Sequence, residues 1–272
     1  MTDVLVLFDA LPPLLLGCYG GADPTPAIDE LAADGRVFDF CFADGDQADP
    51  TVEDDRHVIE LPGVPPVASQ EFAAIEFEER DDLLRLAAEH LREHDRGSED
   101  HFAALREIAA VDADAAETLL DYELTAAAAA VRDADQALAM LLNELPPDEV
   151  RYTLTAKRGW AATGYDSPLS DLIRHVPAIG FAADEPSRDS LLQSVANVLD
   201  GHTGQTELVF YAGDRGRALR TSEWLYIRET TDAGGEERLF AKPSDRFDLT
   251  DLSRQQPGVV DELSVLLRSR VE

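Results

Sequence analysis

The run "VLVLF", residues 4–8, is apolar at every position and closes on Asp9, with turn residues soon after. A strand of that kind is buried on both faces, as in a sheet covered by helices. A helix follows in "PTPAIDELAADG", with Thr25 as cap, Pro26 at the first helical position and Gly35 as stop. Strand and then helix at the very start points to an α/β architecture.

The same reading extends along the chain. "RVFDFCFA" alternates enough for a second strand, an acidic loop "DGDQADPTVEDD" follows, and then a proline-rich connector "ELPGVPPVAS". Residues from about 70 to 145 read as helical, because apolar positions recur near 3.6 and breakers are few. "EVRYTLTA" is a strand, "HVPAIGFA" is another after a short helix, and "SLLQSVANVLD" reads as a further helix. Beyond Gly201 short strands dominate ("TELVFYAG", "RALRTSEWLYIRET", "EERLFAK"), and the helix "PGVVDELSVLLRSRVE" closes the chain. The expectation is an α/β main domain over residues 1–200 and a small α+β unit over 201–272.

Charge excludes several roles. Against 23 lysines and arginines stand 55 aspartates and glutamates, a formal net charge of −32, and only Lys157 and Lys242 are lysines. Such a surface repels nucleic acid and anionic membranes, since phosphate binding needs clustered cations. Acid excess with so few lysines resembles proteins of salt-accumulating halophiles, in which salt screens the self-repulsion. No apolar run reaches the roughly 20 residues of a membrane helix. The N-terminus lacks a basic region and carries Asp3 before its apolar run, so a cytoplasmic protein without a signal peptide is expected. Cys18 and Cys41 are too few for a disulfide framework and form no CxxC spacing, so free, mostly buried thiols are expected.

Several segments occur in a telling order: "VLVLFDALPPLLLGCYG", "TPAIDELAADGRVF", "DADQALAMLL" before "YTLTAKRG", "DLIRHVPAIGF", and "ALRTSEWLYIRE" with "ERLFAKPSDRFDLTDLS". Together they resemble the sulfatase family of the alkaline phosphatase superfamily, in a degenerate and shortened form. The resemblance implies an alkaline-phosphatase-like sandwich with a mixed, mainly parallel central sheet. The small C-terminal sheet and helix would pack on it.

The inherited chemistry needs an activated nucleophile, a divalent ion and an acid for the leaving group. In the family a C/S-x-P-x-R motif follows the second strand. Laid on this chain it falls on "ADPTV", so Pro50 survives while Ala48 takes the nucleophile position and Val52 that of the arginine. A methyl group cannot attack. A shifted register would offer Thr51, although no helix signal follows to help hold an anion.

The metal ligands implied by the resemblance are damaged as well. Asp9 keeps one first-strand ligand, but Ala10 replaces its partner and Pro12 the arginine that usually follows. At the other strand end "TSDHG" has become "TAKRG", so Lys157 and Arg158 occupy ligand positions. One expectation is that Lys157 or Arg158 neutralises Asp9, with Lys157→Ala more damaging than Lys242→Ala; the alternative is that both cations turn to solvent. A second use is anion binding by Lys157, Arg158, Arg174 and His175. His90 and His94 stand at i, i+4, a spacing used by helical zinc sites, but acidic neighbours and the separation from His101 favour a solvated face. His57 and His202 have no identifiable partner.

The leading expectation is a sulfatase-like protein without hydrolase activity or cofactor, binding a small anion or a partner protein, such as an active paralogue. The alternative is a metal-dependent sulfuric or phosphoric ester hydrolase using Asp9 and Thr51 with calcium or magnesium.

Overall fold

The computed structural model describes residues 2–43, 57–61, 63–64, 113–145, 150–160, 169–181, 186–201, 206–213, 216–231, 234–246 and 248–271. The central sheet is built from β1 (Thr2–Ala10), β2 (Gly35–Phe42), β3 (His57–Leu61), β4 (Val150–Arg158), β5 (His175–Val176), β6 (Ala178–Phe181) and β7 (Ser187–Ser194). Their order is β3-β1-β4-β6-β2-β5, with β7 also paired to β2. β1 runs parallel to both β3 and β4. β6 is antiparallel to β4 and β2, while β7 is parallel to β2. The sheet is mixed, and its first strand is buried from Val4 through Phe8, as its unbroken apolar run requires.

Helix α1 (Pro26–Asp34) packs on the long helix α2 (Ala113–Glu144). Ala127, Val131, Ala134 and Leu138 of α2 are buried at three- and four-residue spacing, the stripe that a helix lays on a sheet. Buried Asp135 of α2 accepts from the backbone N–H groups of Ala27 and Ile28, satisfying two donors at the start of α1. Short helices α3 (Asp171–Arg174) and α4 (Val195–Leu199) follow.

Strands β8 (Leu208–Gly213), β9 (Gly216–Thr221), β10 (Trp224–Thr231) and β11 (Gly234–Ala241) form a four-stranded antiparallel sheet, covered by α5 (Pro257–Val271). Its period-two alternation decides what each face meets. Ala218, Leu225 and Ile227 face Phe42 and Leu192 of the central sheet. Leu219, Tyr226 and Leu239 face Leu263 and Leu267 of α5.

Four details differ from the sequence expectations. "SLLQSVANVLD" is not one helix: β7 takes its first half, pairing with β2, and only Val195–Leu199 is helical. Its apolar spacing suited a helix, but pairing beside β2 buries Leu192, and the Ser194 hydroxyl accepts from the Asn197 N–H to start α4 late. Strand β3 had no counterpart in the sequence reading. "HVPAIGFA" is two strands, interrupted at Pro177. Thr25 precedes α1 but makes no side-chain cap; its hydroxyl accepts from the Gly17 N–H and donates to Asp29. Of the span read as helical from 70, residues 70–112 lie outside the described residues.

Candidate functional site

β1 and β4 end side by side, with Ala10 opposite Arg158 in the ladder. The Arg158 guanidinium lies 2.8 Å from the Asp9 carboxylate. Lys157 reaches across β1 to Glu60 on β3, at 3.0 Å. Ala10 is buried, and its carbonyl accepts from the Val64 N–H at 2.7 Å. Gly63 presses on the same peptide so closely that a Cβ there would stand 2.1 Å from the Ala10 oxygen. This donor set does not suit a divalent ion: each carboxylate already faces a cation, and Ala10 offers no side-chain oxygen. Ala48 and Thr51 lie outside the described residues, as do His90, His94, His101 and His202; His57 is exposed at the start of β3.

The other two candidate cations sit elsewhere. Arg174 is buried and donates to the Ala212 carbonyl at 2.8 Å, with its guanidinium 5.5 Å from the Tyr211 ring centroid. That ties α3 to the second sheet. His175 stacks on Phe42 at 5.1 Å, and its Nε2 is 2.8 Å from the Asp39 carbonyl oxygen. A carbonyl only accepts, so Nε2 carries the proton and Nδ1 keeps a lone pair. Burial lowers the pKa of this imidazole, with nearby Arg220 and Arg246 adding to the effect, and the ring is neutral near pH 7. Lys157 and Arg158 therefore share the strand ends, while Arg174 and His175 do not join them.

His175 instead lines a cleft of about 330 Å³ beside the end of β2 and the turn after β11. Its floor is a buried ionic network. Asp171 is held between Arg220 at 2.8 Å and Lys242 at 3.4 Å. Lys242 also pairs with Asp248. Asp248 accepts from the Ser170 hydroxyl at 2.7 Å and the Asp171 N–H at 3.0 Å. Burial, followed by the neighbouring Asp171 charge, pushes the Asp248 carboxyl upward, and Lys242 opposes this. At the rim, Arg188 pairs with Asp39 at 2.6 Å and donates to the Cys18 carbonyl at 2.8 Å. The sequence reading missed Asp171, Arg188, Arg220, Lys242, Arg246 and Asp248 as one group. Only folding joins residues from α3, β7, β9 and the turn after β11.

The "GCYG" and "TPAID" segments meet as a knot beside this cleft. The Asp29 carboxylate accepts from the Cys18 N–H at 2.6 Å, the Thr25 N–H at 3.2 Å and the Thr25 hydroxyl at 3.0 Å. A Cβ on Gly17 would stand 2.4 Å from that carboxylate and would force it to shift. Tyr19 bonds the backbone of Phe38 and Ala178 through its hydroxyl. These residues hold the scaffold together.

No protein-family model matches the chain, and no curated protein does. Solved structures do. A 2-O GAG sulfatase, BT1596, aligns with a TM-score of 0.63 at 12% identity, over 99% of this chain and 91% of that one. The phosphonate monoester hydrolase of Agrobacterium radiobacter aligns with a TM-score of 0.57 at 12% identity, over 99% and 95%. A Bacteroides thetaiotaomicron protein from a glycosaminoglycan metabolism locus aligns with a TM-score of 0.57 at 14% identity, over 98% of each chain. At such identities the likeness is one of architecture, and the chain has the alkaline-phosphatase-like α/β fold that the sulfatases and phosphonate monoester hydrolase share.

Proposed function

We propose that this chain is a sulfatase-fold protein that binds a small anionic ligand and does not hydrolyse it. One observation supports this above others: Arg158 neutralises Asp9 at 2.8 Å, at the strand ends where the resemblance puts a divalent ion. A guanidinium there supplies positive charge, but it cannot lower the pKa of a bound nucleophile as a Lewis acid does. The acid excess and the two lysines in the chain suit work in concentrated salt, inside a salt-accumulating cell.

Turnover decides the matter. Purified protein incubated with an aryl sulfate or an aryl phosphate, with calcium or magnesium added, should release no phenol above the blank. Release that saturates with substrate and needs the metal would overturn the proposal in favour of a working hydrolase.

A further inference from the structure

Resting on the reading that the chain binds an anion, we infer that the ligand sits in the cleft beside His175 and not at the strand ends, and that it is an oxyanion carried on a ring. The charge of the lining is the first argument. Four cations (Arg188, Arg220, Lys242 and Arg246) line the cleft against two carboxylates, Asp39 and Asp171. Over the whole chain acids outnumber bases by 55 to 23, so this is a local reversal of sign. An acidic protein whose cleft focuses positive potential draws an anion to that one place.

The cations are not equivalent. Arg220 and Lys242 are consumed by Asp171 and by Asp248 beneath them. Arg188 shares Asp39 with the Ser190 hydroxyl. Arg246 is exposed, has no ion-pair partner among the described residues, and lines the same cleft as His175. A planar guanidinium in that position presents paired N–H donors to an oxyanion. Lys157 and Arg158 each already face a carboxylate within 3.0 Å, so the strand ends offer no such surplus.

The remaining lining is apolar and aromatic. Pro12, Pro13, Leu14, Phe40, Phe42 and Pro243 supply most of it. A volume of about 330 Å³ falls at the small end of small-molecule pockets, the size of one ring and its substituent. Beneath it the ion pairs hold Asp171, Arg220 and Lys242 in place without a ligand, which lowers the ordering cost at the floor.

The test is calorimetry in molar potassium chloride with phenyl sulfate, phenyl phosphate, phenol and inorganic sulfate as probes. Phenyl sulfate or phenyl phosphate should bind once per chain, the tighter of the two naming the ester. Phenol and inorganic sulfate, each lacking half of the ligand, should bind at least about tenfold more weakly. Arg246→Gln should weaken the ester about tenfold without moving the thermal midpoint, as expected for one charge-assisted contact. Arg158→Gln should leave its affinity unchanged. The proposal is overturned if neither ester binds, if inorganic sulfate binds as well as both, or if Arg158→Gln abolishes binding and Arg246→Gln does not. Release of phenol in the calorimeter cell would instead sink the non-hydrolytic reading and leave the location of the ligand standing.

Discussion

Asp9 and Arg158 face each other at 2.8 Å across the ends of two parallel neighbouring strands. Their side chains are 57% and 33% exposed, and pairs open to solvent in this way contribute little, up to about 1 kcal/mol. Arg158→Gln should therefore cost less than about 1 kcal/mol in denaturant unfolding. The double change Lys157→Asp with Arg158→His puts a hard carboxylate and an imidazole beside Asp9 in place of two cations. Calcium or magnesium should then raise the thermal midpoint of that variant and leave the parent unmoved; an equal rise in the parent would mean that it already holds the ion.

Lys242 reverses an expectation drawn from sequence. It is 6% exposed and pairs with both Asp171 and Asp248, whereas Lys157 pairs with the exposed Glu60. Removing one member of a buried ionic group strands the others, at a cost of about 3–5 kcal/mol. Lys242→Ala should lower stability by that order and Lys157→Ala by less than about 1 kcal/mol. Equal losses in urea unfolding would contradict the buried network.

Asp29 ties the "GCYG" turn to α1. Asp29→Asn should cost about 2 kcal/mol, because it weakens charge-assisted bonds from two backbone N–H groups and a hydroxyl. Burial, and then the Asp29 charge, push the Cys18 thiol up to about 12. At pH 8 only about one thiol in ten thousand is then ionised, so alkylation by iodoacetamide should be very slow. Asp29→Asn should accelerate it severalfold, measured by mass spectrometry of the Cys18 peptide. An unchanged rate would show that the carboxylate does not restrain the thiol.

His175 gives stability a pH dependence. Its folded pKa is lowered from 6.5, so on acidification the unfolded chain takes up a proton before the folded one does. Stability from the neutral ring is fully present above about pH 6.5 and falls below it, by at most about 1.4 kcal/mol per pH unit. His175→Gln keeps an N–H for the Asp39 carbonyl but does not titrate. The difference in unfolding free energy between the two proteins should shrink from pH 7.5 to pH 5.5; a constant difference would refute the assignment of a neutral imidazole.

Salt should stabilise the whole molecule. With a net charge of −32, repulsion among surface carboxylates is screened as the Debye length falls from about 10 Å at 0.1 M to about 3 Å at 1 M. The thermal midpoint should climb through that range in potassium chloride. A flat or falling midpoint would mean that the charge is already balanced locally.

Local chemistry was legible in the sequence. The buried first strand, the helix between Thr25 and Gly35, the shift to clustered strands after Gly201 and the closing helix all follow from periodicity and breakers, and the structure shows each one. β7 was not legible, because Leu191, Leu192, Val195 and Leu199 fit a helical stripe equally well. The edge of β2, distant in sequence, selects the strand. The ends of β1 and β4 could be aligned from their motifs, yet which cation meets Asp9 depended on side-chain reach: Lys157 crosses to β3, leaving Arg158 for Asp9.

By itself, the sequence determined the buried first strand, the helix after it, the closing helix and the sign of the surface charge. These are properties of neighbouring residues or of sums over them. Tertiary structure alone decided that Asp171, Arg220, Lys242 and Asp248 form one buried floor, and that His175, Arg188 and Arg246 gather above it. Burial and Coulomb energies depend on distance in space, and separation along the chain does not fix that distance.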